Sequence, residues 1–233
     1  LNIVPVQTKD FRWEAIFNWS KNNNKVEKLN DQLKTLQIAS SFVALHATVG
    51  RPYGELMGYN YVYDTDGNKV VASNGVYAKT AQTEGLGSVL PDWLGGVRNS
   101  FQYKNFDAGF LIDVRKGGSF YSITQQYGMY SGTLEETASN GIRENGLVLD
   151  GVQGTVTYNA DGTYTVSNTR PNDKNVSAFE WGRSHSSGVQ AQNVFKSDYV
   201  KLREITAGYT IPRLADTAVK ELRFSVFANN VWT

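Results

Sequence analysis

Gly95-Gly96-Val97-Arg98-Asn99-Ser100-Phe101-Gln102-Tyr103 and Phe106-Asp107-Ala108-Gly109-Phe110-Leu111-Ile112-Asp113-Val114-Arg115-Lys116 are separated only by Lys104 and Asn105. In the second run Phe106, Ala108, Phe110, Ile112 and Val114 alternate with Asp107, Gly109, Leu111, Asp113 and Arg115. Period-2 alternation marks an extended strand with one apolar and one mostly polar face. The first run carries Val97, Phe101 and Tyr103 against Arg98, Ser100 and Gln102. A tight hairpin with strands of about ten residues is the local prediction, a length that crosses an outer membrane. The same strands would also serve a long soluble sandwich, so the remainder of the chain has to choose.

The 233 residues are 40% hydrophobic and 12% aromatic, with net charge +1. That is enough chain for a large core and one or two domains. The balanced charge gives no support for nucleic-acid binding. No apolar run approaches the ~18 residues of a transmembrane helix, but alternating barrel strands keep mean hydropathy low and are not excluded. The chain has no cysteine, hence no disulfide staples and no thiolate metal site. Leu1-Asn2-Ile3-Val4-Pro5 is neither an initiator methionine nor a signal peptide, and the chain reads as part of something longer.

Gly, Pro, Asn and Asp punctuate the sequence into strands with connections of two sizes. The short ones are Thr8-Lys9-Asp10, Gly50 to Gly54, Lys104-Asn105 and Pro212 to Lys220; the long ones are about Lys21–Gln37, Thr65–Asp92 and Gly117–Lys196. Strict alternation of short and long is the rhythm of a bacterial outer-membrane barrel, with turns at one end and loops at the other. The expectation is an all-β, antiparallel up-and-down meander of about eight strands, part of a transmembrane β-barrel with long extracellular loops. A soluble β-sandwich carbohydrate-binding module is the alternative.

The strand faces agree with the barrel. Phe11, Trp13, Ala15, Phe17 and Trp19 share one face, Arg12, Glu14, Asn18 and Ser20 the other, with Ile16 as the exception. Phe11, Trp13, Phe17, Phe106, Phe110 and Ile112 are expected toward lipid, and Arg12, Glu14, Asp107 and Asp113 toward the interior. Tyr59, Tyr61 and Tyr63 read as an interfacial aromatic girdle, or as sheet-core aromatics on the blander reading. Near Tyr199 the phase slips between Val200/Leu202 and Ile205/Ala207/Tyr209, which a β-bulge at Arg203–Glu204 would reconcile. The connection Gly117–Lys196 is too long to be structureless. It is expected to hold a hairpin of Val156–Tyr158 with Tyr164–Val166, and a short helix within Ile123 to Ala138, placed at Thr133–Ala138.

Several stretches resemble SusC/RagA-type TonB-linked (TonB-dependent) outer-membrane transporters. They are Gly50-Arg51-Pro52-Tyr53-Gly54-Glu55-Leu56-Met57-Gly58-Tyr59; Leu86 to Gly96 around Pro91-Asp92-Trp93; the hairpin above, ending Arg115-Lys116-Gly117-Gly118; and Arg143-Glu144 with Val148-Leu149-Asp150-Gly151-Val152. Ser197-Asp198-Tyr199-Val200-Lys201-Leu202-Arg203-Glu204-Ile205, then Gly208-Tyr209-Thr210-Ile211-Pro212, and finally Phe227-Ala228-Asn229-Asn230-Val231-Trp232 complete the match in family order. The resemblance implies that residues 1–233 are a partial barrel, with the plug domain and closing strand absent. It implies import of large nutrients, an oligosaccharide or peptide substrate, a SusD-like surface lipoprotein, an inner-membrane TonB complex acting through the absent plug, and contact with outer-membrane lipid. Two departures stand out. Asp64-Thr65-Asp66-Gly67-Asn68 is shorter than the family's acidic calcium-like run, and the chain stops before the closing strand.

Catalysis finds no footing, and no enzyme, cofactor or metal is expected. His46 shares a face with Ala44 and Thr48 and reads as lumen-facing; His185 lacks the strained serine and oriented carboxylate of a triad. Asp64, Asp66 and Asn68 lack the distal acidic ligand of a calcium loop, so a turn explains them. Gly117-Gly118 has no Lys/Ser pair after it and is not a phosphate loop. Binding remains, and the candidates to touch substrate or partner are the loop aromatics Tyr77, Tyr121, Tyr127, Tyr130 and Trp181. Packing within the loops is the competing reading for each.

Overall fold

The structure, a computed structural model, describes residues 1–212 and 220–232, so the turn read at Pro212 to Lys220 lies mostly outside them. The chain divides into two compact units: a wall unit, Leu1–Asn23 with Pro91–Gly118 and Ser197–Thr233, and a loop unit, Asn24–Leu90 with Ser119–Lys196.

The wall unit is one antiparallel sheet of six strands in sequential order. Its strands are β1 (Asn2–Gln7), β2 (Phe11–Ser20), β3 (Trp93–Tyr103), β4 (Phe106–Lys116), β5 (Tyr199–Ile211) and β6 (Leu222–Trp232). Register turns the sequence alternation into rows across the sheet. Phe11, Tyr103, Phe106, Tyr209 and Phe224 form one row; Trp13, Phe101, Ala108, Ala207 and Val226 the next; Ala15, Asn99, Phe110, Ile205 and Ala228 a third. Phe17, Val97, Ile112, Leu202 and Trp232 follow, then Trp19, Gly95, Val114 and Val200. Aromatic rings thus fill the row next to the short turns and thin out beyond it, with Phe17, Trp19 and Trp232 toward the other end. From Phe11 to Trp19 the strand advances about 27 Å at ~3.4 Å per residue, close to the ~25 Å apolar band of an outer-membrane barrel.

This face is uncovered. Trp19 is 66% exposed, Phe106 58%, Phe224 59% and Trp232 62%, values no sandwich core would leave. Phe17 is exposed too, while Phe11, Trp13, Phe110 and Ile112 are half-buried among neighbours of their own sheet. Trp13 stacks on Phe101 at 6.0 Å and Phe101 leans on Phe110 at 6.2 Å. At about 25 cal/mol per Å² of apolar surface left in water, such a face calls for a cover of lipid or of further protein. The one polar side chain in its middle, Asn99, accepts a 3.0 Å hydrogen bond from Trp13 Nε1. Lipid offers no water to satisfy such an oxygen, so the pairing removes a cost of several kcal/mol.

The opposite face is ionic. Arg98 donates to both carboxylate oxygens of Glu204 at 3.0 and 3.2 Å, reaching from β3 to β5 over the intervening β4. Arg223 reaches Asp107 at 2.8 Å, and Arg203 reaches Asp113 at 3.0 Å, where Tyr199 Oη also donates. Arg203 is the expected bulge: Leu202 lies opposite Ile112 and Glu204 opposite Leu111, leaving Arg203 as the extra residue. A second bulge, unexpected from the sequence, falls on β6, where Asn230 takes φ +53° and accepts from Arg203.

Two expectations need correction. The Gly50–Gly54 turn and Tyr59, Tyr61 and Tyr63 belong to the loop unit, not the wall. The sheet accordingly has six strands among the described residues rather than eight, and Lys21 to Asp92 is one long connection. The parity survives: an antiparallel meander puts Thr8–Asp10 and Lys104–Asn105 at one end and both long connections at the other. β1 and β6 are the two edges of an open sheet, with no ladder between them among the described residues, as expected of a piece of a larger strand order.

Where β4 ends, the Gly117-Gly118 and Ser197-Asp198 motifs meet. Asp198 accepts from Gly117 N–H at 2.6 Å and from Lys116 Nζ at 2.5 Å; Ser197 Oγ donates to Gly117 C=O at 3.1 Å. Gly117 has φ +78°, and a Cβ there would stand 2.7 Å from Asp92 N. Gly117→Val should therefore cost about 1–3 kcal/mol through αL strain and the clash. A thermal midpoint of the receptor in detergent that stays at the wild-type value would refute this.

The loop unit is built from small sheets and helices. Thr35–Ser40, Ala44–Thr48, Glu55–Gly58 and Glu84–Ser88 form a four-stranded antiparallel sheet. The expected hairpin forms and runs longer, Val152–Tyr158 with Tyr164–Pro171, and Val70–Val71 joins it in parallel. Val62, Val70 and Ala78 are its buried centre, under Val152, Val156, Tyr164 and Val166. The first helix, Ile123–Ser131, forms within the expected segment Ile123 to Ala138 but at its start, while Thr133–Ala138 holds only a 3₁₀ turn at Glu135–Thr137. Ser122 caps it by accepting from Gln125 N–H, and Gly132 ends it at φ +70°, signals the sequence carries. It packs on the helix Ala178–Ser187, where Gly182 lets the backbones touch: a Cβ would lie 2.4 Å from Met129 O.

Candidate binding surface of the loop unit

The five predicted aromatics do not converge. Tyr77 is half-buried and donates to Asp150 C=O at 3.0 Å. Tyr121 stacks on Phe42 and donates to Gln126 Oε1 at 2.7 Å. Trp181 packs on the buried cluster of Val71, Leu149 and Val176. Tyr127 and Tyr130, on the helix Ile123–Ser131, are about half exposed, and Tyr127 presents an edge to Phe42. For Tyr77, Tyr121 and Trp181 packing is thus the role the geometry displays.

A richer surface lies at the tyrosines read as a girdle. Residues 59–80 run back and forth with Tyr61 opposite Lys79 and Tyr63 opposite Lys69. Strand alternation sends Val62, Val70 and Ala78 into the core and the tyrosines and lysines outward. Lys69 Nζ lies 4.0 Å from the Tyr61 ring centre and 5.2 Å from that of Tyr77; Lys79 Nζ lies 4.5 Å from that of Tyr59. Tyr61 meets Tyr77 and Tyr63 edge to face at 5.1 and 6.1 Å. Such ammonium–ring and ring–ring contacts fix side chains otherwise free to move. Burial pushes the Tyr61 and Tyr63 phenols above their ordinary range, so both stay protonated donors.

Beside this face a groove of about 280 Å³ runs past Asn60, Tyr61, Tyr63, Ser119, Phe195 and Lys196. Its far side is the pair Ser119–Tyr121 with Val194–Lys196, held against the four-stranded sheet by the bare Gly87, where a Cβ would stand 2.5 Å from Ser119 Oγ. Sequence reading missed Phe195 and Lys196 because a three-residue strand after a helix gives no periodicity to detect.

The histidines are structural. His185 Nδ1 lies 2.9 Å from Asn193 Oδ1, while Asn193 Nδ2 donates to His185 C=O at 2.7 Å and Tyr121 Oη at 3.1 Å. With the amide so oriented, Nδ1 must carry the proton. His46, read as a wall residue facing the lumen, is not on the wall sheet: it lies in the four-stranded sheet of the loop unit, in register between Gln37 and Glu55. Its two ring nitrogens and Glu55 Oε2 are buried without partners. Asp64 accepts from the N–H groups of Asp66 and Asn68 at 3.0 and 2.8 Å, an Asp-Gly turn as read.

No family model matches the chain. It is 25% identical over 260 residues to TonB-dependent receptor P3 of Formosa agariphila, across 100% of this chain and 23% of that receptor. Its fold matches the RagAB peptide importer in the closed-closed state with a TM-score of 0.65, at 14% identity, over 99% of this chain and 24% of that one. The open-open state gives 0.62, again at 14% identity and over the same shares of both chains. The chain therefore spans about a quarter of the length of each. Along its whole length the chain is thus similar in sequence to part of a TonB-dependent receptor, and its fold is that of part of the RagAB importer, in agreement with the resemblance to SusC/RagA-type outer-membrane receptors.

Proposed function

We propose that residues 1–233 supply wall strands and extracellular loops to an importer of large nutrients, an oligosaccharide or a peptide. In the complete receptor β1 and β6 pair with further strands, because lipid cannot satisfy free edge N–H and C=O groups. A plug fills the barrel and couples it to the TonB complex, and a SusD-like surface lipoprotein covers the loops. The observation that supports this reading best is the pairing of an exposed, aromatic-rich apolar face with an ion-paired opposite face on one open sheet. The similarity of the whole chain to about a quarter of a TonB-dependent receptor and the likeness to part of the RagAB peptide importer agree with it. The residues point to binding rather than bond-breaking.

Deleting the gene in its host should abolish growth on one class of oligomer while growth on the monomers continues. Undiminished growth on every oligosaccharide and peptide supplied would refute import. A tagged receptor extracted in mild detergent should bring down a lipoprotein, and recovery of the receptor alone would remove that partner.

A further inference from the structure

We propose that the groove beside Tyr61 and Tyr63 is a subsite for one sugar ring of an imported oligosaccharide, an assignment that rests on the import reading above. The groove is smaller than the ~300–1,000 Å³ of sites for drug-sized ligands, at about 280 Å³, so it suits a single unit of a longer molecule. Its walls carry the rings of Tyr61, Tyr63 and Phe195. Lys69 already covers one face of Tyr61 and the neighbouring tyrosines abut its edge, so the wall is held in place before any ligand arrives.

The unspent polar groups decide the chemistry. The Tyr61 and Tyr63 hydroxyls and the Lys196 ammonium make no hydrogen bond or ion pair among the described residues, and none of the three has a further partner. Asn60 is already committed, donating to Glu84 at 3.2 Å and accepting from Tyr61 N–H at 2.8 Å. The lining therefore offers phenol and ammonium donors, and the Glu84 carboxylate held by Asn60, outside the lining itself, is near enough for its charge to act on the Tyr63 phenol. A pyranose has C–H-rich faces that lie against aromatic rings, and hydroxyls that both donate and accept. It can meet every one of these groups. A purely anionic ligand would be attracted by Lys196 but opposed by Glu84. An extended peptide is read chiefly through main-chain edges, whereas the spare groups here are side-chain hydroxyls and an ammonium.

The test uses the complete receptor in detergent, titrated calorimetrically with a panel of neutral tetrasaccharides, uronate tetrasaccharides and tetrapeptides. At least one saccharide should bind. Tyr63→Ala and Lys196→Ala should each weaken it about tenfold, Tyr63→Phe should weaken it less, and Lys25→Ala on an exposed stretch should leave it unchanged. Thermal midpoints within error of wild type establish that the variants fold. Unchanged affinity in the Tyr63→Ala/Lys196→Ala double variant overturns the subsite. Binding confined to the tetrapeptides, or to no member of the panel, overturns it equally. Uptake of the same oligomers by cells separates the two readings: wild-type uptake with indifferent groove variants sinks the subsite alone, and no uptake by wild type sinks import.

Discussion

Phe110→Arg in the complete receptor should cost about 2–4 kcal/mol of folding stability in lipid, the depth-dependent price of a cation at mid-bilayer on a barrel's outer face. Phe110 lies in the central row with Ala15, Asn99, Ile205 and Ala228, and Phe101 leans on it. An arginine there can snorkel only past the rings of the flanking rows. Ser100→Arg, one row away and on the opposite face between Glu14 and Gly109, is the matched control. It adds the same charge beside carboxylates and water-accessible space, so its cost should stay below about 1 kcal/mol. Urea titrations in vesicles of defined lipid measure both. Equal costs for the two variants, or a larger one for Ser100→Arg, would mean that the lipid and interior faces have been assigned backwards.

That contrast was legible in the sequence because a strand's side-chain period is a property of the backbone alone. Phe106 to Val114 had to share a face whatever packed on it, and the phase slip at Leu202–Ile205 had to be absorbed by one extra residue, which is Arg203. Strand order followed from the alternation of short and long connections. The reading failed where period-2 patterns recur outside the wall. Tyr59, Tyr61 and Tyr63 alternate as cleanly as any barrel strand, yet they lie outside the wall sheet, where Tyr61 and Tyr63 make only isolated bridges to Lys79 and Lys69. Alternation tells which side chains share a face; it does not tell what that face meets. For the binding surface the difficulty was different. Tyr77, Tyr121 and Trp181 were sensible choices by residue type, but their hydrogen bonds and packing are spent within the loop unit. The groove instead joins residues some 130 positions apart, Tyr61 with Phe195 and Lys196, a juxtaposition only the tertiary structure supplies.

Asn193→Ala should destabilise the loop unit by about 3–5 kcal/mol, because it strips partners from several buried polar groups at once. Asn193 is 0% exposed. Its amide satisfies His185 Nδ1 and His185 C=O from one side and Tyr121 Oη from the other, tying Ala178–Ser187 to Ser119–Tyr121. Tyr121 retains Gln126, but the histidine N–H and carbonyl lose the partner they share. The same node predicts a pH response. Burial depresses the pKa of His185 below its ordinary 6.5, outweighing the Asn193 hydrogen bond and the distant Glu136 charge, so the folded unit favours the neutral ring. For a base with a lowered folded pKa, the unfolded chain takes up the proton first. Stability is therefore full above about pH 6.5, falls as pH drops below that value, and levels once the folded pKa is passed. Hydrogen exchange of the Ala178–Ser187 amides should accelerate at pH 5 relative to pH 8 after correction for intrinsic rates, and His185→Gln should flatten that difference. Exchange that is equally slow at both pH values in the wild-type receptor would show that His185 is not a proton-sensitive support of the loops.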